Sequence, residues 1–583
     1  MKVFMDLAWY FKQEKVRYGT GVIILMLVSA LTLIPPYVIG IIVDSIANET
    51  LTPDDLTLWM GILLIIGISS YIFRYIWRIL IFGASIKLAR ILRNRLYKHF
   101  TAMSSSFFQK KRTGDLMAHA TNDIRAIEQT AGAGVLTLVD SLTMGGYVII
   151  TMAAVISWEL TLIALIPMPL MAFATSKYGS LLHQRFGKAQ AAFSSLNDKV
   201  QESISGVKVT KTFGYEEKEI ESFREQSDDV VNKNMAVARV DALFDPTISL
   251  VVGMSFFLSV AFGSLYVIDG EITIGQLTSF TVYLGLLIWP MLAFGWFFNI
   301  VERGRASNDR VSSLLRAKQE ITDDPDASSE MPEGEIMFAI DLFSYSGAED
   351  LKNVEIFIPT GATLGVAGRT GSGKTTLVQS LLRDFDITEG TVYIDGHPIT
   401  RYKKNALLSA VAYVPQDHFL FSATIADNIA FGLPEASYKD IIQAAKAAAV
   451  HEDISRFPQG YETIVGERGV TLSGGQKQRV SIARALLLNP QILILDDSLS
   501  AVDARTEEFI LNSLREARKN KTTIITAHRL SALHHADEIV VMDNGSISER
   551  GTHRFLMSES GWYAEMYQTQ QLEKELEGGK GDA

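Results

Sequence analysis

Six stretches of the first 301 residues run without a charged side chain for long enough to cross a lipid bilayer: 18–43, 56–73, 141–158, 160–176, 246–268 and 272–301. A hydrocarbon core about 30 Å thick needs roughly 20 apolar helical residues and tolerates about 17. Buried helices of water-soluble proteins give apolar runs of only about 10 to 14 residues. The pattern therefore predicts six membrane-spanning helices. The first run is too long for the apolar region of a signal peptide and ends without a clear cleavage site, so it is expected to remain in the mature protein.

The segments between the spans sort by charge. Those after spans one, three and five hold Asp44, Glu49, Asp54, Asp55, Glu159, Asp269 and Glu271 and no Lys or Arg. Lys12, Lys15 and Arg17, the basic residues between Lys87 and Lys98, Lys110 to Arg112, and Lys177 to Lys188 all fall on the other side. The positive-inside rule then predicts that both termini are cytoplasmic. The two long cytoplasmic segments, 74–140 and 177–245, are charged and helix-favouring and contain no proline. At about 1.5 Å per residue they can reach some 40 Å below the membrane. Breaks at Thr113-Gly114-Asp115 and at Gly206 predict two helical hairpins, each with a short crossbar at its tip. Arg74 and Arg78, at the cytoplasmic end of span two, fit either snorkelling to the headgroups or a functional role. Span six carries Tyr283, Trp289, Phe294, Trp296, Phe297 and Phe298, which suit either an interfacial belt or the wall of a cavity for a hydrophobic substrate.

Beyond span six the pattern changes. Residues 321–335 (ITDDPDASSEMPEGE) read as a linker, and short apolar strands then alternate with helices, which predicts an α/β unit with a largely parallel core. Gly368-Arg369-Thr370-Gly371-Ser372-Gly373-Lys374-Thr375 matches the P-loop pattern, follows an apolar strand (362–367) and opens a helix. Its glycines let backbone N–H groups turn toward phosphates, Lys374 supplies a point charge, and the Thr375 hydroxyl reaches Mg²⁺. Ile-Leu-Ile-Leu-Asp at 492–496 is a buried strand ending on a carboxylate suited to Mg²⁺. Leu-Ser-Gly-Gly-Gln at 472–476 precedes a helix whose N-terminus can hold a second anion. Strand 411–414 runs into Pro415-Gln416, and strand 522–526 ends close to His528.

In this order the motifs resemble a half-transporter of the ATP-binding cassette exporter superfamily over essentially the whole chain. The resemblance implies an all-α membrane domain of six helices with long intracellular hairpins, fused to an α/β P-loop ATPase with a helical subdomain. Its expected parts are an N-terminal segment 1–17, a transmembrane domain 18–312, a linker 313–335, a nucleotide-binding domain 336–572 and a polar tail 573–583. It assigns Tyr345 to adenine stacking and Gly368 to Thr376 to the Walker A loop. Gln416 is implied to sense Mg²⁺ and the γ-phosphate, Ser473, Gly474, Gly475 and Gln476 to belong to the signature, and Asp496 to be the Walker B carboxylate. Residues 500–503 correspond to the D-loop and His528 to the switch histidine. ATP and Mg²⁺ are the implied cofactors, with Thr375, Gln416 and Asp496 at the metal. Glu467-Arg468-Gly469 resembles the loop that touches the membrane-domain crossbars.

One position departs from the family. Where a Glu usually serves as general base, this chain has Asp497. Asp is one methylene shorter, which withdraws the carboxylate by about 1.5 Å, and a misplacement of about 1 Å can cost some 10²-fold in rate. The signature is intact. In this family each nucleotide lies between the Walker motifs of one cassette and the signature of the other. The resemblance is therefore to the Asp-bearing subunit of bacterial heterodimeric multidrug exporters, paired with a non-identical, Glu-bearing half-transporter in the plasma membrane. A homodimer that tolerates Asp, exporting drugs or lipids, and an ATP-gated membrane sensor are the alternatives.

Composition narrows the classes further. The chain has 54 basic and 65 acidic residues, with mean hydropathy +0.17. Residues 1–320 carry 30 basic and 27 acidic side chains and the remainder 24 and 38, so the two halves address different solvents. The net charge of −11 argues against a nucleic-acid partner. The expected contacts are membrane lipid and a hydrophobic small molecule. Having no cysteine, the chain can form no disulfide, thiolate metal site or Cys nucleophile.

Overall fold

The computed structural model describes residues 2–345, 350–466 and 472–578. The chain divides into two compact units, one of Met1–Thr101 with Thr113–Ala317, the other of Ala102–Arg112 with the chain from Lys318 onward.

Among the described residues of the first unit, six helices are long and apolar enough to span a membrane: Lys15–Ala47, Pro53–Ala102, Thr113–Ile156, Trp158–Ser205, Glu216–Ile268 and Ile274–Leu315. Each of the six apolar runs lies mainly in its own helix, the third overrunning it by Ser157 and Trp158 and the sixth beginning two residues before Ile274. The helices are longer than the runs because the flanking segments are charged but rich in good helix formers, and charge alone does not stop a helix. Ser157, in extended backbone, separates the third helix from the fourth and caps the latter by accepting from the Leu160 N–H at 3.2 Å.

The two crossbars differ from expectation in one respect. Gly206 ends the helix Met168–Ser205, and the short helix Val207–Phe213 stops at Gly214, whose φ of +63° is left-handed. On the other side, the break is not at Thr113-Gly114-Asp115. Ser104 and Lys111, both extended, bracket a short helix Ser105–Lys110, and the next helix starts at Thr113. Gly114 and Asp115 lie in that helix's first turn, where glycine interrupts little and a carboxylate meets the positive end of the helix. The crossbar Ser105–Lys110 belongs to the second unit: Lys110 Nζ pairs with Glu320 at 2.8 Å and the Ser106 hydroxyl donates to the same carboxylate.

The third spanning helix contains three π-helical turns, His119–Asp123, Thr130–Gly134 and Met152–Ile156. At the first, Asp123 accepts from Arg310 Nε at 3.0 Å and from the Ser307 hydroxyl at 2.9 Å, tying that helix to the sixth. The aromatic residues of span six separate into two sets. Tyr283 and Phe297 are buried, the Tyr283 hydroxyl donating to Leu33 O at 2.6 Å. Trp289, Phe294, Trp296 and Phe298 are exposed, and the two indoles meet edge to face at 5.5 Å.

The second unit contains two sheets. Strands β1 (Ile336–Phe343), β2 (Leu351–Ile358), β4 (Glu389–Ile394) and β5 (His397–Pro398) form an antiparallel sheet in the order β2-β1-β4-β5. The larger sheet runs β10-β9-β3-β8-β7-β6, built from β3 (Thr363–Gly368), β6 (Val411–Val414), β7 (Ile492–Asp496), β8 (Thr522–Thr526), β9 (Glu538–Asp543) and β10 (Ser546–Gly551). Every pairing in it is parallel except β9 with β10. All five residues of β7 and all five of β8 are buried. A parallel strand covered on both faces has no solvent-facing position, which is why β7 reads as an unbroken apolar run up to Asp496, whereas β8 buries three threonines beside its two isoleucines. The antiparallel sheet is the part that the reading of a parallel core omitted.

Candidate nucleotide site

β3 delivers the chain into the P-loop, and the helix Lys374–Leu381 leaves it. Gly368, Gly371 and Gly373 all have positive φ, of 144°, 81° and 100°. A Cβ on Gly368 would lie 2.3 Å from Met542 O, so no other residue fits without displacing β9. The loop is also pinned from outside: the Gly545 N–H donates to Ser372 O at 3.1 Å, and the Lys352 N–H to Gly545 O at 2.9 Å. Lys374 is 6% exposed and its ammonium donates to Gly368 O at 2.7 Å and Arg369 O at 2.9 Å. Burial lowers its pKa, while the charges of Asp497 and Asp496 act in the opposite sense.

β7 and β8 bring the carboxylates to the same place. Asp496 is 1% exposed. Its Oδ1 accepts from the hydroxyls of Thr526 at 2.6 Å and Thr375 at 3.2 Å, and its Oδ2 accepts from the Tyr413 hydroxyl at 2.9 Å. Burial and the neighbouring Asp496 push the Tyr413 phenol up, so it remains a donor. The next residue, Asp497, has a left-handed φ of +46°, a conformation that Asp tolerates better than most residues. Its N–H donates to both the carbonyl and the hydroxyl of Thr526, each at 3.0 Å. Its Oδ2 accepts from Gln416 Nε2 at 3.4 Å and its Oδ1 from the His528 N–H at 3.3 Å.

These groups converge on a cavity of about 530 Å³. Thr370, Gly371, Ser372, Gly373, Lys374, Thr375 and Thr376 line it together with Gln416, Asp496, Asp497 and His528. The cavity suits a triphosphate and a divalent cation. Among the described residues the buried Ser372 hydroxyl has no partner, an unspent hydrogen-bonding group in the cradle, and the hydroxyl and carboxylate of Thr375 and Asp496 are the oxygen donors that Mg²⁺ prefers. Tyr345 does not line it. It sits beyond β1, edge-on to Phe343 at 4.8 Å and Phe385 at 5.1 Å, with its hydroxyl 3.3 Å from Gln379 of the P-loop helix.

The signature lies outside this cavity. Ser473 caps the helix Gly474–Leu487: its hydroxyl accepts from the Gln476 N–H at 3.3 Å, and Gln476 Oε1 accepts from the Ser473 N–H at 3.0 Å. A Cβ on Gly474 would meet nothing within 4 Å, whereas one on Gly475 would lie 2.9 Å from Ala501 O. Gln478 Oε1 accepts from the Ala501 N–H at 3.0 Å, so the D-loop is docked on the signature helix. Ser500 Oγ donates to Asp497 O at 3.0 Å, and Asp503 caps the helix Ala504–Ala517. Glu467-Arg468-Gly469 falls outside the described residues.

Sequence reasoning missed Tyr413 and Thr526, the two hydroxyls that orient Asp496, although both stand in strands that it delimited. It also missed Asp350, Lys352, Asn544 and Gly545, which line the cavity from the β2 and β9–β10 side. The pairing of a turn glycine, Gly545, with the P-loop is long-range and carries no spacing signal.

A six-helix membrane unit followed by a P-loop cavity that Asp496, Gln416 and His528 also line defines an ATPase built for transport. Comparison with known proteins agrees: residues 18–291 match the ABC transporter transmembrane region and residues 351–500 the ABC transporter cassette. The chain is 48% identical to the multidrug resistance-like ATP-binding protein MdlA of Escherichia coli over 99% of its own length and 98% of that protein's. It is 45% identical to the probable multidrug resistance ABC transporter ATP-binding/permease protein YheI of Bacillus subtilis, over 99% of each chain. It also resembles the structure of a bacterial Atm1-family ABC exporter with ATP bound, with a TM-score of 0.78 and 27% identity, over 95% of this chain and 98% of that one. The chain belongs to the ABC transporter family, as an exporter half-transporter: a multi-pass membrane protein whose ATPase is coupled to transport.

Proposed function

We propose that this chain is one subunit of a heterodimeric exporter of hydrophobic or amphipathic compounds. Its own Walker site holds ATP but hydrolyses it slowly, and its signature completes a competent site on a non-identical partner that carries Glu at the base position. The observation that carries this reading is Asp497. It stands at the end of β7, one methylene short of the family's base, with Gln416 and the His528 N–H already on its two oxygens. Hydrolysis needs a carboxylate within reach of the attacking water, and a shortfall of about 1 Å costs on the order of 10²-fold.

In this reading the P-loop N–H groups and Lys374 hold the phosphates, Tyr345 stacks on the base, and Thr375, Asp496 and Gln416 hold Mg²⁺. The bound ion neutralises charge on the β- and γ-phosphate oxygens. His528 contacts the γ-phosphate end. Ser473 and the N–H groups at the start of the signature helix serve the partner's nucleotide, where charge develops in the transition state. The exposed Trp289, Phe294, Trp296 and Phe298 of span six favour an apolar substrate, and the two relatives are named as a multidrug resistance-like and a probable multidrug resistance protein. The absence of Lys and Arg after spans one, three and five, with the basic residues on the opposite side, favours a cassette and termini on the cytoplasmic face, and the bacterial relatives favour a bacterial plasma membrane.

The test is ATPase activity of the purified chain alone and after co-assembly with a Glu-bearing half-transporter. Co-assembly raises turnover by an order of magnitude or more if the reading is right. Equal turnover contradicts it and favours a homodimeric drug or lipid exporter. Dye uptake into inverted vesicles separates an exporter from a membrane sensor.

A further inference from the structure

The C-terminal helix Trp562–Gly578 is locked into the cassette at its start. Glu549 of β10 accepts from the Trp562 N–H at 2.6 Å and the Tyr563 N–H at 3.2 Å, satisfying two free donors of the helix N-terminus. Tyr563 is fully buried, and its hydroxyl meets His553 Nδ1 at 2.9 Å. About two turns further on, the same helix presents Gln570. Its Nε2 donates to His528 O at 2.8 Å, and its Oε1 accepts from the Leu530 N–H at 2.9 Å. One carboxamide therefore clamps the backbone on both sides of Arg529, in the loop that carries the histidine. The N–H of the clamped His528 is itself the donor to Asp497 Oδ1. Gln570, the His528 backbone, Asp497 and Gln416 form one continuous chain of hydrogen bonds from the C-terminal helix to the cavity.

We infer that Gln570 is a positioning residue for nucleotide hydrolysis: it fixes the backbone of His528 so that the imidazole holds its place in the cavity. A loop bonded only by its neighbours in sequence would be free to shift by the ångström that matters to rate. Both carboxamide atoms are used, so the side chain also orients itself, and no other neutral residue of similar length offers one donor and one acceptor at that separation. The inference rests on the assignment of His528 to the γ-phosphate end of the site.

The test uses the full-length transporter with a partner whose own base carboxylate has been replaced by its amide, so that the remaining turnover comes from this chain's Walker site. Single-turnover hydrolysis of radiolabelled ATP is measured alongside ATP affinity and thermal unfolding. Gln570→Ala is expected to lower the rate constant at least fivefold with ATP affinity changed less than twofold. Gln570→Glu keeps the acceptor for Leu530 but loses the donor to His528 O, so it is expected to lose rate with a smaller change in unfolding temperature; it decides the matter if the alanine variant folds poorly. In a His528→Ala background, Gln570→Ala is expected to cost less than twofold more, because the two act as a unit. Rates within twofold of the parent for both Gln570 variants overturn the inference, as does a full additional fivefold loss without His528. An unchanged rate in His528→Ala alone instead overturns the assignment of that histidine, a separate failure.

Discussion

The Walker cavity and the signature helix are two parts of one cassette, and they are built in opposite ways. Around the cavity, groups from the P-loop, β7 and the loop after β8 already bond to one another: Asp496 with Thr375, Thr526 and Tyr413, Asp497 with Gln416 and His528. The signature instead satisfies itself. Ser473 and Gln476 cap their own helix, Gly475 leaves room for the D-loop carbonyl of Ala501, and none of the three lines the cavity. A site that is assembled can still be slow if its base is short; a signature that is intact can still be idle without a partner. The difference teaches that the competence of this chain is to be sought in the half that looks incomplete.

That contrast can be broken at its strongest point by filling the space at Gly475. Gly475→Leu drives a side chain into Ala501 O, displacing the D-loop from the helix start, and is expected to reduce steady-state ATPase of the heterodimer by more than about 10²-fold. Gly474→Ala, where a Cβ meets nothing within 4 Å of its own chain, isolates the partner-facing side: a large loss there means that the nucleotide of the other cassette approaches this face. Lys374→Ala sharpens the comparison from the other side. If the proposed asymmetry holds, emptying the weak site hinders closure without removing the competent one, so a loss of about tenfold is expected in the same assay. Smaller still is the effect of Thr526→Val, which removes the 2.6 Å bond to Asp496 while keeping the strand buried. It is expected to shift the Mg²⁺ concentration for half-maximal ATP binding upward several-fold, in line with the loss of an outer partner of a metal ligand, with little change in heterodimer turnover.

Sequence reading succeeded where one residue type is forced by one local geometry. The glycines of the P-loop, the apolar run Ile492–Leu495 of β7, and the six charge-free spans each report a constraint that few other residues satisfy. It failed where a side chain's partner lies far away in sequence. Nothing adjacent to Tyr413 or Thr526 signals that their hydroxyls orient Asp496, and nothing near Gln570 signals His528. The first crossbar shows a third kind of limit: Gly114 looks like a helix breaker but sits in a first turn, where its flexibility does not terminate the helix, and extended Ser104 and Lys111 set the real boundaries. The aromatic residues of span six were legible as a group, but only the fold separates buried Tyr283 and Phe297 from the four exposed rings.

The most direct measurement compares Ser473→Ala with Asp497→Ala in the same co-purified transporter, by steady-state ATPase at saturating ATP. In the proposed heterodimer the Ser473 hydroxyl serves the competent site, so its loss is expected to cost about 10²-fold or more, on the scale of removing one donor from a developing oxyanion. On the same proposal Asp497 is a base out of position, so its loss is expected to cost less than about threefold. Abolished hydrolysis in Asp497→Ala, with activity retained in Ser473→Ala, would contradict the account and make Asp497 a working base.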